Sequence, residues 1–324
     1  MIHRTFAKRA LAAALFSIPV FALAQTYPDK PVHIVGPYPA GGPVDAYARV
    51  IAQSLSTSWG VPVVVENRAG GNAIIATDYV MKQPADGTNI LQFDSTAVSI
   101  NPQVYSKLPY DVDRDIQPVI NVLQFGTFLA ANASFPPNTL AEFIQLAKSK
   151  PGSISYGSFG IGSVTHLTQE ELDALVGIKL NHVPYKGAGD VTPALMGGQI
   201  EVAQLAYLPM VNGMKAGKIK VYAVAANKRL PLLPDVPTFK ELGVPFVALT
   251  WSGLAVRKGT PKPIVDKIAT DVSKIISTPE FSAKYITPLG FELVNMGPER
   301  FGEFIKAERE EYVKYVKRTG VKLD

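Results

Sequence analysis

The chain has no cysteine among its 324 residues, and only two tryptophans and four histidines. The first absence removes three chemistries together: disulfide cross-linking, thiolate metal ligation and lipidation of a cysteine at a processed N-terminus. No cluster of lysine and arginine interleaved with aromatics occurs, which argues against nucleic acid as a partner. Low-complexity segments are missing too, and 47% of the residues are apolar, the composition of a well-packed globular protein. A long apolar run occurs once, near the N-terminus, and no second membrane-spanning stretch follows.

That run reads as an export leader. Arg4, Lys8 and Arg9 precede the apolar segment Ala10 to Leu23, and Ala22-Leu23-Ala24 forms a small-residue cleavage signal. The run is short and interrupted by Pro19, which favours a signal peptide of residues 1–24 over a membrane anchor. Its removal leaves 300 residues, enough for one large domain or two ordinary ones. The leader holds three of the 32 lysines and arginines and none of the 27 acidic residues, so the net charge falls from +5 to +2.

The remaining chain alternates short apolar strands with helical segments. Val32–Gly36, Val61–Glu66 and Asn89–Phe93 read as buried strands, with helices over Pro43–Trp59 and Ala73–Lys82 between them. Residues 116–131 form a long extended stretch with little helical period, long enough to pass from one lobe to another. The alternation then restarts, with strands at 154–156, 182–185, 200–205 and 219–225. Residues 249–256 form a second extended apolar run that suits a return crossing, followed by helices over about 263–277, 279–287 and 298–318. The pattern predicts parallel sheets covered by helices, arranged as two lobes with a cleft between them. Lobe 1 is expected to comprise 25–123 plus 250–324, and lobe 2 to comprise 124–249.

Two strand-to-helix turns stand out. In the first, Tyr38-Pro39-Ala40-Gly41-Gly42-Pro43 links a strand to a helix whose free amides and dipole favour an anion. Gly41 and Gly42 leave the backbone open to close approach. In the second, Ser158-Phe159-Gly160-Ile161-Gly162-Ser163-Val164-Thr165 repeats the arrangement, with Ser163 or Thr165 available as a helix cap. One such helix start per lobe, both facing the cleft, would hold a carboxylate from two sides. Ser95 and Thr96 follow the end of a strand, where ligands gather in open α/β sheets.

Other chemistries fit less well. Ser158, Ser163 and His166 lie close together, but neither serine sits in a Gly-x-Ser-x-Gly elbow, so an exported hydrolase is the weaker reading. Asp111-Val112-Asp113-Arg114-Asp115 opens like a calcium loop yet has Ile116 and Val122 where glycine and glutamate are needed. His33, His166 and His182 lack metal-ligand spacing, so neither metal nor cofactor is expected. The charged residues of 303–317 read as the solvated face of the last helix.

A dozen segments in register resemble one family over essentially the whole mature chain. They include Tyr38–Asp45, Val63–Gly70, Ala85-Asp86-Gly87, Ile100-Asn101-Pro102, Leu108–Asp111, Tyr156–Ser163, His166-Leu167, His182–Gly187, Gly197-Gly198-Gln199, Lys215–Lys218, Leu233–Thr238 and Gly259-Thr260-Pro261. This set is similar to the substrate-binding receptors of tripartite tricarboxylate transporters, the Bordetella uptake family. The resemblance implies a periplasmic, monomeric, two-lobed binding protein of the type II (Venus-flytrap) class, with an α/β fold and no enzymatic activity. It would close on a small carboxylate and hand it to membrane permease subunits, or alternatively report it to a membrane sensor kinase. Carried over by position, the ligand would touch Ala40, Gly41 and Gly42 in one lobe. Ser158, Gly160, Gly162, Ser163 and Thr165 would face it from the other, with Tyr38 closing the wall. Many members carry an acid where this chain has Leu205 and Ala206, and an apolar pair cannot neutralise an ammonium. An aliphatic or aromatic carboxylate is therefore expected in preference to an amino acid, with Tyr207 as a stacking or hydroxyl contact.

Overall fold

A computed structural model of the chain describes residues 27–323; the expected leader lies outside the described residues. The chain opens with β1 (Val32–Gly36), α1 (Pro43–Trp59), β2 (Val63–Asn67), α2 (Ile74–Met81) and β3 (Asn89–Phe93). Two short helices, α3 (Asn101–Val104) and α4 (Val112–Asp115), lead to the long β4 (Ile116–Gly126) and then β5 (Phe128–Asn132). Next come α5 (Leu140–Ser149), β6 (Ser155–Ser158), α6 (Val164–Val176), β7 (Asn181–Pro184), α7 (Ala188–Met196), β8 (Val202–Leu205), α8 (Tyr207–Lys215) and β9 (Ile219–Val224). The chain closes with β10 (Leu249–Arg257), α9 (Lys262–Ile276), α10 (Pro279–Phe281), β11 (Glu292–Met296) and α11 (Pro298–Thr319).

The strands form two sheets, ordered β11-β4-β10-β3-β1-β2 and β7-β6-β8-β5-β9. A single residue, Thr127, separates β4 of the first sheet from β5 of the second, so the outward crossing is direct. The return follows β10, which runs antiparallel to β4 from Leu249 opposite Gly126 to Arg257 opposite Ile116. This corrects the expectation of purely parallel sheets. The strands that carry the chain between lobes enter each sheet reversed, β10 beside β3 and β5 beside β8.

Each sheet is covered on both faces, which explains its near-continuous apolar strands. In the first, α1 and α9 bury Tyr47, Ile51, Leu55, Val265, Ile268 and Val272 on one side. On the other, α2 and α11 pack Val80, Phe301 and Ile305 around Trp251. The Trp251 ring meets Phe93 and Phe301 edge-on, at centroid distances of 5.2 and 5.1 Å. The second sheet is sandwiched likewise, with Phe143, Tyr156 and Leu172 in one core and Leu195, Ile200 and Met210 in the other.

One local expectation changes, and two elements lie where the sequence reading placed none. After β3, a π-helical turn over Thr96–Ile100 runs into α3. The helix anticipated over 279–287 is broken, passing from α10 through a π turn at Ser282–Ile286 to a 3-10 turn at Thr287–Leu289. Strand β11 is an edge strand without a single fully buried residue, so it lacks the apolar run that marks the others.

Candidate functional site

The first glycine turn is held by a carboxylate of its own chain. Asp45, at the third position of α1 and only 3% exposed, accepts the Gly41 amide at 2.9 Å and the Asn67 side-chain amide at 2.9 Å. Arg49 adds a two-pronged ion pair, Nε at 2.9 Å and Nη2 at 3.0 Å. Burial opposes the charge, but the hydrogen bonds from Arg49, Gly41 and Asn67 outweigh it and hold the Asp45 carboxyl below its ordinary value. Asn67 also binds the Tyr38 carbonyl at 3.0 Å, and the Tyr38 hydroxyl donates to Asp94. Ala40 and Gly41 remain exposed, and Gly41 adopts φ +86°, a backbone state that favours glycine.

The second glycine turn, between β6 and α6, is internally bonded to an unusual degree. Gly160 N donates to Ser158 Oγ at 3.2 Å, Phe159 N to Thr165 Oγ1 at 2.9 Å and Gly162 N to His166 Nδ1 at 3.0 Å. Ser163 caps α6, its Oγ accepting the His166 amide at 3.3 Å, and lies 3.2 Å from Thr165 Oγ1. Those two hydroxyls can share one hydrogen between them, leaving the other for an anion. The first two amides of α6, on Val164 and Thr165, have no acceptor among the described residues. The Gly160 and Gly162 amides are thus engaged within the turn, and the backbone donors left there are the amides of Val164 and Thr165.

Asn72, in the left-handed region with φ 50°, joins the first lobe to the second glycine turn. From the loop after β2 it reaches across to the Ile161 carbonyl at 2.9 Å, and its own carbonyl accepts from Asn101 at 2.8 Å. The contact has no sequence signal beyond a polar loop residue. The C-terminal Leu323 also packs on the second turn: a Cβ added to Gly162 would lie 2.5 Å from its Cδ1. Arg318 of α11 binds Glu171 of α6 at 2.5 Å.

Ser95 and Thr96 sit at the end of β3 but turn inward. Ser95 is fully buried and donates to Glu308 Oε1 at 2.8 Å, while the Thr96 amide binds Asp94 at 2.8 Å. Glu308 also accepts from Ser99 at 2.5 Å and Trp251 Nε1 at 2.7 Å. This corrects the reading of residues 303–317 as a uniformly wet face. Glu308 shares the buried stripe of Phe301, Ile305 and Tyr312, and its spacing of seven from Phe301 and four from Tyr312 was the available signal. Tyr207 begins α8 and packs against Gly290 across the lobes. Leu205 is buried in the second lobe's core, so of the apolar pair only Ala206, capping α8, lies at the helix start.

Ser158 pairs with His182 Nε2 at 2.6 Å, not with His166. The serine is fully buried, and the histidine is backed by aromatic rings instead of an orienting carboxylate, so the pair does not form a nucleophilic triad. No group of three histidine, aspartate or glutamate side chains converges as a metal would require among the described residues. A cavity of about 650 Å³ between α4, β4 and α11, lined by Val98, Asp113, Lys258 and Arg309, includes none of the anticipated ligand residues.

Comparison with known proteins agrees with this architecture. A solved R. palustris protein, Rpa4515 with adipate, is 30% identical with a TM-score of 0.85, covering 91% of this chain and 99% of its own. The periplasmic binding protein BugD is 33% identical with a TM-score of 0.82, over 91% and 99% of the two chains. MatC from Rhodopseudomonas palustris, solved with bound malate, is 29% identical with a TM-score of 0.82, over 90% and 100%. The family model of the tripartite tricarboxylate transporter family receptor matches residues 47–321. This chain therefore belongs to the tripartite tricarboxylate transporter receptor family, whose members are periplasmic solute-binding proteins and not enzymes.

Proposed function

We propose that the protein captures a small carboxylate, foremost an aliphatic dicarboxylate, between its two lobes and delivers it to the membrane subunits of a tripartite tricarboxylate transporter. The observation that carries this reading is the start of α6, where the Val164 and Thr165 amides are free and which the Asn72–Ile161 hydrogen bond joins to the loop before α2 in the other lobe. One carboxylate would sit between Ala40, Gly41 and Gly42 on one side and Ser163, Val164 and Thr165 on the other. Tyr38 would form part of the wall. In this reading Ser95, Thr96, Ser158, Gly160 and Gly162 shape the site through the bonds described above, and Tyr207 borders the far end. Adipate in one relative and malate in another support a dicarboxylate. Ala206 at the start of α8 supplies no charge for an ammonium, which favours a ligand without one. The protein would act as a monomer exported to the periplasm.

A thermal-shift screen of the chain from Gln25 onward tests this. At a hundredfold excess over its dissociation constant, a ligand adds about 2.7 kcal/mol of stability. A shift of several degrees with aliphatic dicarboxylates is expected. A response confined to amino acids would overturn the ligand class.

A further inference from the structure

We propose that His166 is the positioning residue of the second glycine turn, holding it in its ligand-ready shape through a neutral imidazole. The Gly162 amide donates to His166 Nδ1 at 3.0 Å, so that nitrogen must carry a lone pair and the ring proton must sit on Nε2. The turn closes only four residues before the ring, and Gly162 takes φ +75° at its apex. The next three donors along the chain are the Ser163 hydroxyl and the free amides of Val164 and Thr165. Fixing Gly162 therefore fixes where these donors point. A protonated ring would replace the acceptor with a second N–H aimed at the Gly162 amide, and the turn would have to open.

The surroundings preserve the neutral form. His166 is 6% exposed, and its ring stacks on His182 of β7 at 4.0 Å, nearly parallel at 12°. Tyr156 of β6 stacks on His182 in turn and donates to Glu170. Glu170, one turn along α6, is the facing carboxylate, 3.9 Å from Nε2. The charge that α11 brings to this helix, Arg318, is bound to Glu171, and lobe 1 presents the neutral Asn72. Burial pushes His166 down to about 4, and burial with the neighbouring His166 does the same for His182. The folded value lies below the ordinary one, so the positioning bond persists at neutral pH and is lost as the pH falls through about 4.

Two substitutions separate positioning from packing. His166→Asn places a carbonyl oxygen near Nδ1 and cannot titrate, whereas His166→Phe keeps a stacked ring without an acceptor. Adipate is the probe, and this arm rests on the proposed carboxylate function. At pH 7.5 His166→Phe is expected to bind adipate at least tenfold more weakly than wild type, with His166→Asn within threefold. The wild-type to His166→Asn affinity ratio should fall as the pH drops toward 4, a comparison that cancels the titration of adipate itself. Equal losses in both variants, or wild-type affinity in His166→Phe, would overturn the proposal. If wild type binds no adipate, the ligand reading fails, and the ligand-free wild-type protein still decides the positioning role. Its Gly162 amide resonance, followed by NMR, should move with the same midpoint as the His166 ring. A Gly162 signal indifferent to that titration would sink the idea.

Discussion

The Glu308 carboxylate accepts hydrogen bonds from Ser95, Ser99 and Trp251, which joins α11 to the π turn after β3 and to β10. Burial pushes this group up to about 7, with the three donors opposing the shift. A folded value above the unfolded one means the native chain binds more protons in between. The group's contribution to stability is therefore full below about 4.5 and is lost as the pH rises through about 7. Replacing Glu308 with alanine strands three buried donors. We expect a loss of about 3 kcal/mol, read as a lower urea midpoint without loss of secondary structure. At this scale a sequence reveals residue type but not partners. Ser95 looks like a ligand hydroxyl because it follows a strand, yet its hydroxyl is committed to a side chain 213 residues away.

Among the elements, α6 carries the sharpest consequence. Ser163 caps the helix with its hydroxyl, which also lies 3.2 Å from that of Thr165, and in the proposed function it is a ligand donor. Ser163→Ala should lower stability by about 1 kcal/mol through the lost cap. It should also weaken carboxylate binding about tenfold, measured by calorimetry, a further 1.4 kcal/mol. Ser163→Thr should retain most of both, whereas an unchanged affinity in Ser163→Ala would remove the hydroxyl from the ligand's donors. Elements with strong local signals were legible: α1 starts at a proline after two glycines and ends at Gly60 in the left-handed conformation, where the sequence places its ends. β11 and the π turn after β3 were not, because neither has a period or an apolar run of its own. Both are held by neighbours, β11 by pairing with β4 and the π turn by α11.

In the whole molecule, a few residues far apart in sequence tie the lobes. Asn72 reaches Ile161, Leu323 covers Gly162, and Arg318 binds Glu171. Around them Ile100, Val104, Leu167 and Tyr312 form a small apolar cluster fed by both lobes and by α11. In the proposed function, hinge closure on a ligand would make and break this seam. Combining Asn72→Ala with Leu323→Ala should favour the open arrangement of the ligand-free protein. Small-angle scattering would register this as a larger radius of gyration, restored by ligand; an unchanged radius would show that the seam does not set the resting state.

The alternating strand and helix pattern, the two crossings and both glycine turns could be read from the sequence because each depends on neighbours a few residues away. Backbone conformation at a glycine, a proline at a helix start and an apolar strand are local properties. Which donors those turns still offer was decided only by tertiary structure. Asp45 engages the Gly41 amide and pairs with Arg49 locally, but it also accepts from Asn67 of another strand. The Gly162 amide goes to His166, whose neutral ring depends on burial against His182. The contact between the lobes joins residues 89 positions apart. A hydrogen bond satisfies one donor with one acceptor, so the free groups at a site emerge only after every long-range partner is in place.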